Sequence, residues 1–112
     1  MALLLATVLL PACDRARSPG ERVYRRRCRQ CHGDDGRGRT KFAEGRPYAD
    51  LTDGVWKHGP GAAAMRRLIA EGEPKSPMPP FEGRLSAEEI DAVVQYVQAL
   101  VREARPSPGV RR

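Results

Sequence analysis

Five consecutive residues, Cys28-Arg29-Gln30-Cys31-His32, constrain this chain more than any other stretch. On a helix, positions i, i+3 and i+4 lie on one face, so Cys28, Cys31 and His32 would point in the same direction. One short helical segment would then present two thiols and one imidazole to the same ligand. That arrangement suits a group that bonds covalently to both thiols and carries a metal for the imidazole.

The C-x-x-C-H pattern is the attachment signature of a c-type haem. The thiols of Cys28 and Cys31 would add to the two vinyl groups of one porphyrin as thioethers, and His32 would bind the iron as an axial ligand. Two other uses of C-x-x-C fit less well. A zinc site needs a second Cys/His pair downstream, and the only other cysteine is Cys13. A thioredoxin-like dithiol follows a strand, and no strand pattern precedes Cys28.

Composition agrees with a haem-containing domain. The chain has 112 residues, enough for one small domain, and only one Trp, three Tyr and two Phe. A buried porphyrin would supply the large apolar body that these side chains do not. The net charge of +6 favours acidic partners or an anionic surface. It does not indicate nucleic acid, because the arginines are spread along the chain without interleaved aromatic residues.

Residues 1–12 are predicted to form an export signal. They are apolar throughout and too short to span a bilayer, as is typical of a secretory h-region. The run ends in Leu10-Pro11-Ala12-Cys13, which resembles a bacterial lipoprotein box in which Cys13 would be lipidated. Otherwise Cys13 would be a free thiol after a signal peptide or an uncleaved anchor. In each case we expect an exported, periplasmic protein. The lipid or the uncleaved segment would tether it to the membrane, and we expect such a tether.

The sequence predicts a linker over residues 13–19, the folded domain over residues 20–104 and a disordered tail over residues 105–112. Within the domain, periodicity predicts a helix from Gly20 into the Cys28–His32 pentad and another from Ala62 to about Glu71. A short helix capped by Thr52 is expected over residues 53–57. The last helix follows Ser86, which forms a capping box with Glu89.

A proline-rich stretch offers a second axial ligand. Four prolines between Glu73 and Phe81 exclude a helix or an inner strand, and Met78 has prolines on both sides. Such flanking prolines suit a loop that must hold one thioether sulfur in place, so we predict Met78 as the sixth ligand rather than apolar filling. Met65 lies in an apolar helical stripe and is expected in the core. His58 is an alternative ligand, although Gly59 and Pro60 beside it predict a surface bend.

Three further expectations concern the surroundings of these residues. Trp56 is expected to form a wall of the haem pocket. The loop around Pro47 is expected to present a backbone carbonyl to the second nitrogen of His32, which would orient the imidazole. The arginines of the first helix form either a solvated basic face or a docking surface.

From Gly20 to Val101 the chain resembles the class I c-type cytochromes. Short motifs spread over this length carry the resemblance: Gly20 and Tyr24, Cys28-x-x-Cys31-His32-Gly33, Asp50-Leu51-Thr52-Asp53 with Trp56, Met78-Pro79 with Phe81, and Tyr96-Val97. Trp56 with the Met78-Pro79 segment looks most like the small haem domains attached to bacterial terminal oxidases and dehydrogenases.

The resemblance implies an all-α fold, with about four short helices around one covalently attached haem c. Its iron would have His32 and Met78 as axial ligands. The first and last helices would cross with Gly20 and Tyr24 against Val93 and Tyr96. The implied activity is one-electron transfer by an electron carrier, not an enzyme, that shuttles between acidic partners such as an oxidase, reductase or dehydrogenase. The alternatives are a reactive or gas-binding, peroxidase-like haem protein, and a fixed haem subunit of an oxidase or dehydrogenase complex.

Overall fold

The computed structural model describes residues 17–104, which fold into four helices joined by loops. Helix α1 spans Pro19–Arg27, α2 Arg29–His32, α3 Ala62–Glu71 and α4 Ala87–Ala104, and two 3-10 turns, Lys41–Ala43 and Pro47–Ala49, lie between α2 and α3. Over residues 17–104 the only β-type pairing is an isolated bridge between Glu82 and Leu85. The all-α prediction is therefore confirmed. The predicted export signal, Cys13 and the predicted tail lie outside the described residues.

The crossing of α1 and α4 forms the centre of the fold. A Cβ atom on Gly20 would lie 2.7 Å from the carbonyl carbon of Ala92 and 2.9 Å from Cβ of Tyr96, so only glycine allows this approach. One turn further along α1, the ring of Tyr24 packs against the ring of Tyr96 at a centroid distance of 5.2 Å. Val93 is fully buried at the same crossing. The contact implied by the resemblance is thus present, with the backbone of Ala92 closest to Gly20.

Local signals define the ends of α1. The side chain of Ser18 accepts a hydrogen bond from the backbone N–H of Glu21, and Pro19 occupies the first helical position. The predicted continuous helix into the pentad is interrupted at Cys28, where φ is −116° and ψ is −38°. The interruption is slight, because the N–H of Cys28 still donates to the carbonyl of Tyr24 at 2.8 Å. Helix α2 therefore follows α1 with only Cys28 between them.

The two later helices match their predictions. Helix α3 ends at Glu71, and Gly72 follows it with φ of 72°. At the start of α4, the hydroxyl of Ser86 accepts from the N–H of Glu89, whose carboxylate accepts from the N–H of Ser86, both at 3.1 Å. The core between the helices is apolar and includes Val23, Met65, Ile69, Phe81, Leu85, Ile90, Val94, Val97 and Val101. Met65 is buried there as predicted.

The predicted helix over residues 53–57 is wrong, because this segment forms turns. The carboxylate of Asp50 accepts hydrogen bonds from the N–H and the hydroxyl of Thr52, at 2.8 and 2.7 Å. The carboxylate of Asp53 accepts from the N–H of Val55 at 2.8 Å. Each aspartate satisfies an N–H two residues ahead, and such side-chain turns compete with helix formation.

Candidate haem site

The pentad forms one helical turn with its two thiols free. The carbonyl of Cys28 accepts hydrogen bonds from the N–H groups of Cys31 and His32, at 3.2 and 3.0 Å. Cys28 is half-buried and Cys31 is exposed, and neither forms a disulfide. Burial, together with the nearby thiol of Cys31, raises the pKa of Cys28 to about 12. A redox dithiol needs a lowered thiol pKa, so this environment does not suit thioredoxin-like chemistry.

The zinc alternative finds no support in the described part of the chain. Among residues 17–104, no three His, Cys, Asp or Glu side chains come together in a group that could hold a metal ion. A four-coordinate structural zinc site needs such a cluster. The two thiols and one imidazole of the pentad remain suited to a group that brings its own metal and its own sites of attachment.

One ring nitrogen of His32 is held by the protein. Its Nδ1 lies 2.8 Å from the carbonyl oxygen of Ala49, which closes the 3-10 turn that starts at Pro47. A carbonyl can only accept, so Nδ1 donates its proton and Nε2 keeps a lone pair for a metal. Burial lowers the pKa of His32, which favours the neutral imidazole that binds metals. The predicted loop is therefore the right one, and the carbonyl within it is that of Ala49.

Gly38 brings the backbone of Ala49 close to the pentad, a role that the sequence analysis missed. Its φ is 69°, and a Cβ atom there would lie 2.8 Å from the carbonyl carbon and 2.9 Å from the carbonyl oxygen of Ala49. The N–H of Gly38 also donates to the carbonyl of His32 at 2.8 Å. The three closely spaced glycines after the pentad were the available signal, but they predict only a turn. Tertiary packing decides which distant segment of the chain this turn approaches.

Further hydrogen bonds fix the end of α2. The hydroxyl of Tyr24 donates to the carbonyl of Gly33 at 2.6 Å, and the hydroxyl of Thr40 donates to the carbonyl of Cys31 at 2.7 Å. Burial raises the pKa of Tyr24 well above its ordinary value, so the hydroxyl keeps its proton. These side chains satisfy carbonyls that the short helix leaves without intrahelical partners.

Met78 lies in a loop that is closed against the end of α3. The N–H groups of Phe81 and Glu82 donate to the carbonyls of Ile69 and Ala70, at 3.0 and 3.1 Å. Within the loop, the N–H of Met78 donates to the hydroxyl of Ser76 at 3.2 Å. Met78 is half-buried and packs against the core. Its ligand role remains a prediction, and the loop holds it in a defined place.

His58 is engaged elsewhere, which does not favour the bis-histidine alternative. Its Nε2 lies 2.7 Å from Oε2 of Glu73, and Nζ of Lys57 lies 3.3 Å from Oε1 of the same carboxylate. The hydrogen bond from His58 and the neighbouring Lys57 hold the pKa of Glu73 below its ordinary value. His58 is also exposed, as predicted from the bend at Gly59 and Pro60.

The apolar surroundings fit a haem. Five side chains from four separate segments are only partly buried and pack against one core, where a large apolar ligand could cover them. They are Cys28, Leu51, Trp56, Met78 and Leu100. The donor set of the pentad and this apolar surface together fit one porphyrin. Trp56 belongs to this group, so its predicted role in the pocket wall is compatible with its packing.

Comparisons with known proteins agree with this geometry. The family described as "Cytochrome C oxidase, cbb3-type, subunit III" matches residues 15–97. The cbb3-type cytochrome c oxidase subunit FixP of Bradyrhizobium diazoefficiens is 38% identical over 81 residues, which are 72% of this chain and 26% of that protein. This chain thus spans about a quarter of the length of that relative.

Solved structures show the same fold. The KustC0563 c-type cytochrome is 32% identical with a TM-score of 0.62, covering 72% of this chain and 95% of that one. Cytochrome c6 from the diatom Phaeodactylum tricornutum is 27% identical with a TM-score of 0.63, covering 78% of this chain and 95% of that one. The chain belongs to the family of cbb3-type cytochrome c oxidase subunit III, and its folded part is a monohaem class I cytochrome c domain.

Proposed function

We propose that this domain transfers single electrons as a bound haem subunit of an oxidase-type complex. Cys28 and Cys31 would hold one haem c through thioethers, and His32 and Met78 would be its axial ligands. The single observation that carries the proposal is the contact between Nδ1 of His32 and the carbonyl of Ala49, at 2.8 Å. It leaves Nε2 of a neutral imidazole free, on the helical turn that also carries both thiols.

When bound, the haem would supply one-electron chemistry between ferric and ferrous iron. The chain's own residues would tune that chemistry. A thioether ligand from Met78 favours the ferrous state, and so does an apolar surface around the iron, because the ferric state carries the additional positive charge. Two strong protein ligands leave no open coordination position. That arrangement suits electron transfer and does not suit the peroxidase-like alternative.

Two observations favour a bound subunit over the diffusing shuttle expected from the sequence. First, relatives such as the FixP protein are named as oxidase subunits, and this chain matches only a part of them. Second, the basic face of α1 is partly neutralised within the domain. Arg25 lies 3.2 Å from Glu21, and Arg26 lies 3.2 Å from Glu89. These pairs lower the local positive potential of the α1 face at which a shuttle would dock, while the net charge of +6 is unchanged.

The location of the protein is also part of the proposal. Residues 1–12 would direct export, Cys13 would carry a lipid, and residues 105–112 would form a tail. The linker predicted over residues 13–19 would end before Ser18, because Ser18 caps α1 and Pro19 begins it. The site would then lie on the periplasmic side of the membrane. Within residues 17–104, no helix is long and apolar enough to cross a bilayer. A lipid at Cys13 would hold the domain at the membrane surface.

Co-purification from native membranes tests the proposal. The tagged full-length chain is isolated in mild detergent, with washes at low and high salt. We expect covalent haem on a denaturing gel and a stoichiometric complex with oxidase subunits that resists high salt. A chain that separates from the oxidase subunits in the high-salt wash, and is recovered alone in detergent, would instead identify a shuttle. In the Cys28→Ala/Cys31→Ala variant the covalent haem should be lost, and oxygen-driven oxidation of the domain should disappear.

A further inference from the structure

We propose that Glu73 is a positioning residue for Met78, because its carboxylate fastens the Met78 loop to the loop that carries Trp56. This inference rests on the proposed ligand role of Met78. The two loops are residues 73–80 and residues 51–59. Glu73 is the first residue after the glycine that ends α3, so it stands at the entrance to the Met78 loop.

The backbone of Glu73 is tied to the Met78 loop. Its N–H donates to the carbonyl of Met78 at 3.3 Å, and its carbonyl accepts from the N–H of Ser76 at 3.1 Å. At the other end of the loop, hydrogen bonds from Phe81 and Glu82 to α3 close the base. Prolines supply no N–H donors, so a loop rich in proline has few other backbone bonds with which to hold its shape. Glu73 therefore controls one end of the segment that presents Met78.

The side chain of Glu73 is tied to the opposite loop. Its two oxygens take different partners, Nζ of Lys57 at 3.3 Å and Nε2 of His58 at 2.7 Å. The Glu73 side chain is only 18% exposed, whereas those of Lys57 and His58 are 68% and 48% exposed. The carboxylate is thus the inner member of the group, with the cationic donors outside it. Both donors directly follow Trp56, which packs on the same core as Met78.

This arrangement ties the two loops together around the apolar surface assigned to the haem. The turns in residues 51–59 are held mainly by local contacts, such as that of Gly59 with Trp56. Apart from packing on the core, the bonds at Glu73 are the polar link between this loop and the Met78 loop. Removing the link would let the Met78 segment move away more often. A competing external ligand could then reach the iron more readily.

Imidazole binding to the ferric holoprotein measures how easily Met78 is displaced. For Glu73→Gln we expect imidazole to bind roughly 1.5- to 5-fold more tightly than in wild type, which is the factor that corresponds to loss of a partly exposed charge pair. The variant should still show the methionine-to-iron charge-transfer band before imidazole is added. His58→Ala, which keeps Glu73 charged and removes one donor, should give a smaller change in the same direction.

Glu71→Gln is the matched control. Glu71 is also a glutamate beside Gly72, but it is exposed and pairs with Arg67 on its own helix at 3.5 Å. The Glu71→Gln variant should bind imidazole with the affinity of wild type. In the double variant Glu73→Gln/His58→Ala, the effect should not exceed that of Glu73→Gln, because both changes remove the same link.

Three results would overturn the proposal, and they differ in what else they refute. If wild type shows the charge-transfer band and Glu73→Gln binds imidazole with unchanged affinity, then Glu73 does not position Met78 and the ligand assignment stands. The same conclusion follows if Glu71→Gln changes the affinity as much as Glu73→Gln. If wild type lacks the band, both the role of Glu73 and the ligation by Met78 are wrong.

Discussion

Substituting Gly38 by alanine should change both the stability and the reduction potential of the domain. Gly38 has φ of 69°, and a Cβ atom there would lie 2.8 Å from the carbonyl carbon of Ala49. That carbonyl is the partner of Nδ1 of His32. An alanine would therefore have to displace the Ala49 peptide, whose carbonyl oxygen bonds the imidazole.

Gly45 provides a matched control that separates strain from displacement. It has φ of 72°, and a Cβ atom there would have no neighbour within 4 Å. Gly45→Ala should lower the free energy of unfolding by about 1 to 2 kcal/mol, because it places an L side chain in the left-handed region. Gly38→Ala carries the same backbone cost and adds about 1 to 3 kcal/mol for the clash with Ala49. The free energies of unfolding of the two variants should thus differ by about 2 kcal/mol.

Urea unfolding and redox titration of the two holoproteins test this argument. Donation from Nδ1 to a carbonyl makes the imidazole a stronger electron donor, which stabilises ferric iron. Weakening that bond in Gly38→Ala should raise the reduction potential, while Gly45→Ala should leave it at the wild-type value. Equal unfolding free energies for the two variants, or an unchanged potential in Gly38→Ala, would refute the role assigned to Gly38.

Three other substitutions test the fold that holds the site. Gly20→Ala should destabilise the domain by more than about 3 kcal/mol in thermal unfolding, because the new methyl group meets the Ala92 backbone. Tyr24→Phe should cost about 1 to 2 kcal/mol in urea, since the carbonyl of Gly33 loses its donor. Because burial raises the pKa of Tyr24, its contribution should be complete below the unfolded pKa of about 10 and lost as pH rises further, so the variant should be less sensitive to alkali. Ser86→Ala should cost about 1 kcal/mol in urea unfolding through loss of the helix cap, and a cost near zero would contradict the capping box.

Local chemistry explains what the sequence could predict. The capping box at Ser86, the end of α3 at Glu71 and the helical turn of the pentad each depend on residues within a few positions of one another. The core position of Met65 follows from helical periodicity in the same way. These predictions are confirmed because short-range preferences and tertiary packing agree there.

The features that the sequence did not predict depend on contacts between distant segments or on competing local bonds. Thr52 looked like a helix cap, but the carboxylate of Asp50 takes its N–H and hydroxyl and forms a turn. The acceptor for His32 depends on how closely Gly38 and Ala49 approach, which no local pattern encodes. The link from Glu73 to His58 joins residues 15 positions apart, and neither has a sequence signature.

The absorption spectrum of the purified holoprotein tests the central claim most directly. Spectra are recorded for the ferric protein and for the ferrous protein with carbon monoxide, in wild type, Met78→Leu and Met65→Leu. Both substitutions replace a methionine sulfur by carbon at similar volume, and Met65 is buried in the core. We predict a methionine-to-iron charge-transfer band and no carbon monoxide binding in wild type and Met65→Leu, with the band lost and carbon monoxide bound in Met78→Leu. Carbon monoxide binding by wild type, or a Met78→Leu spectrum equal to that of wild type, would contradict electron transfer through a haem ligated by His32 and Met78.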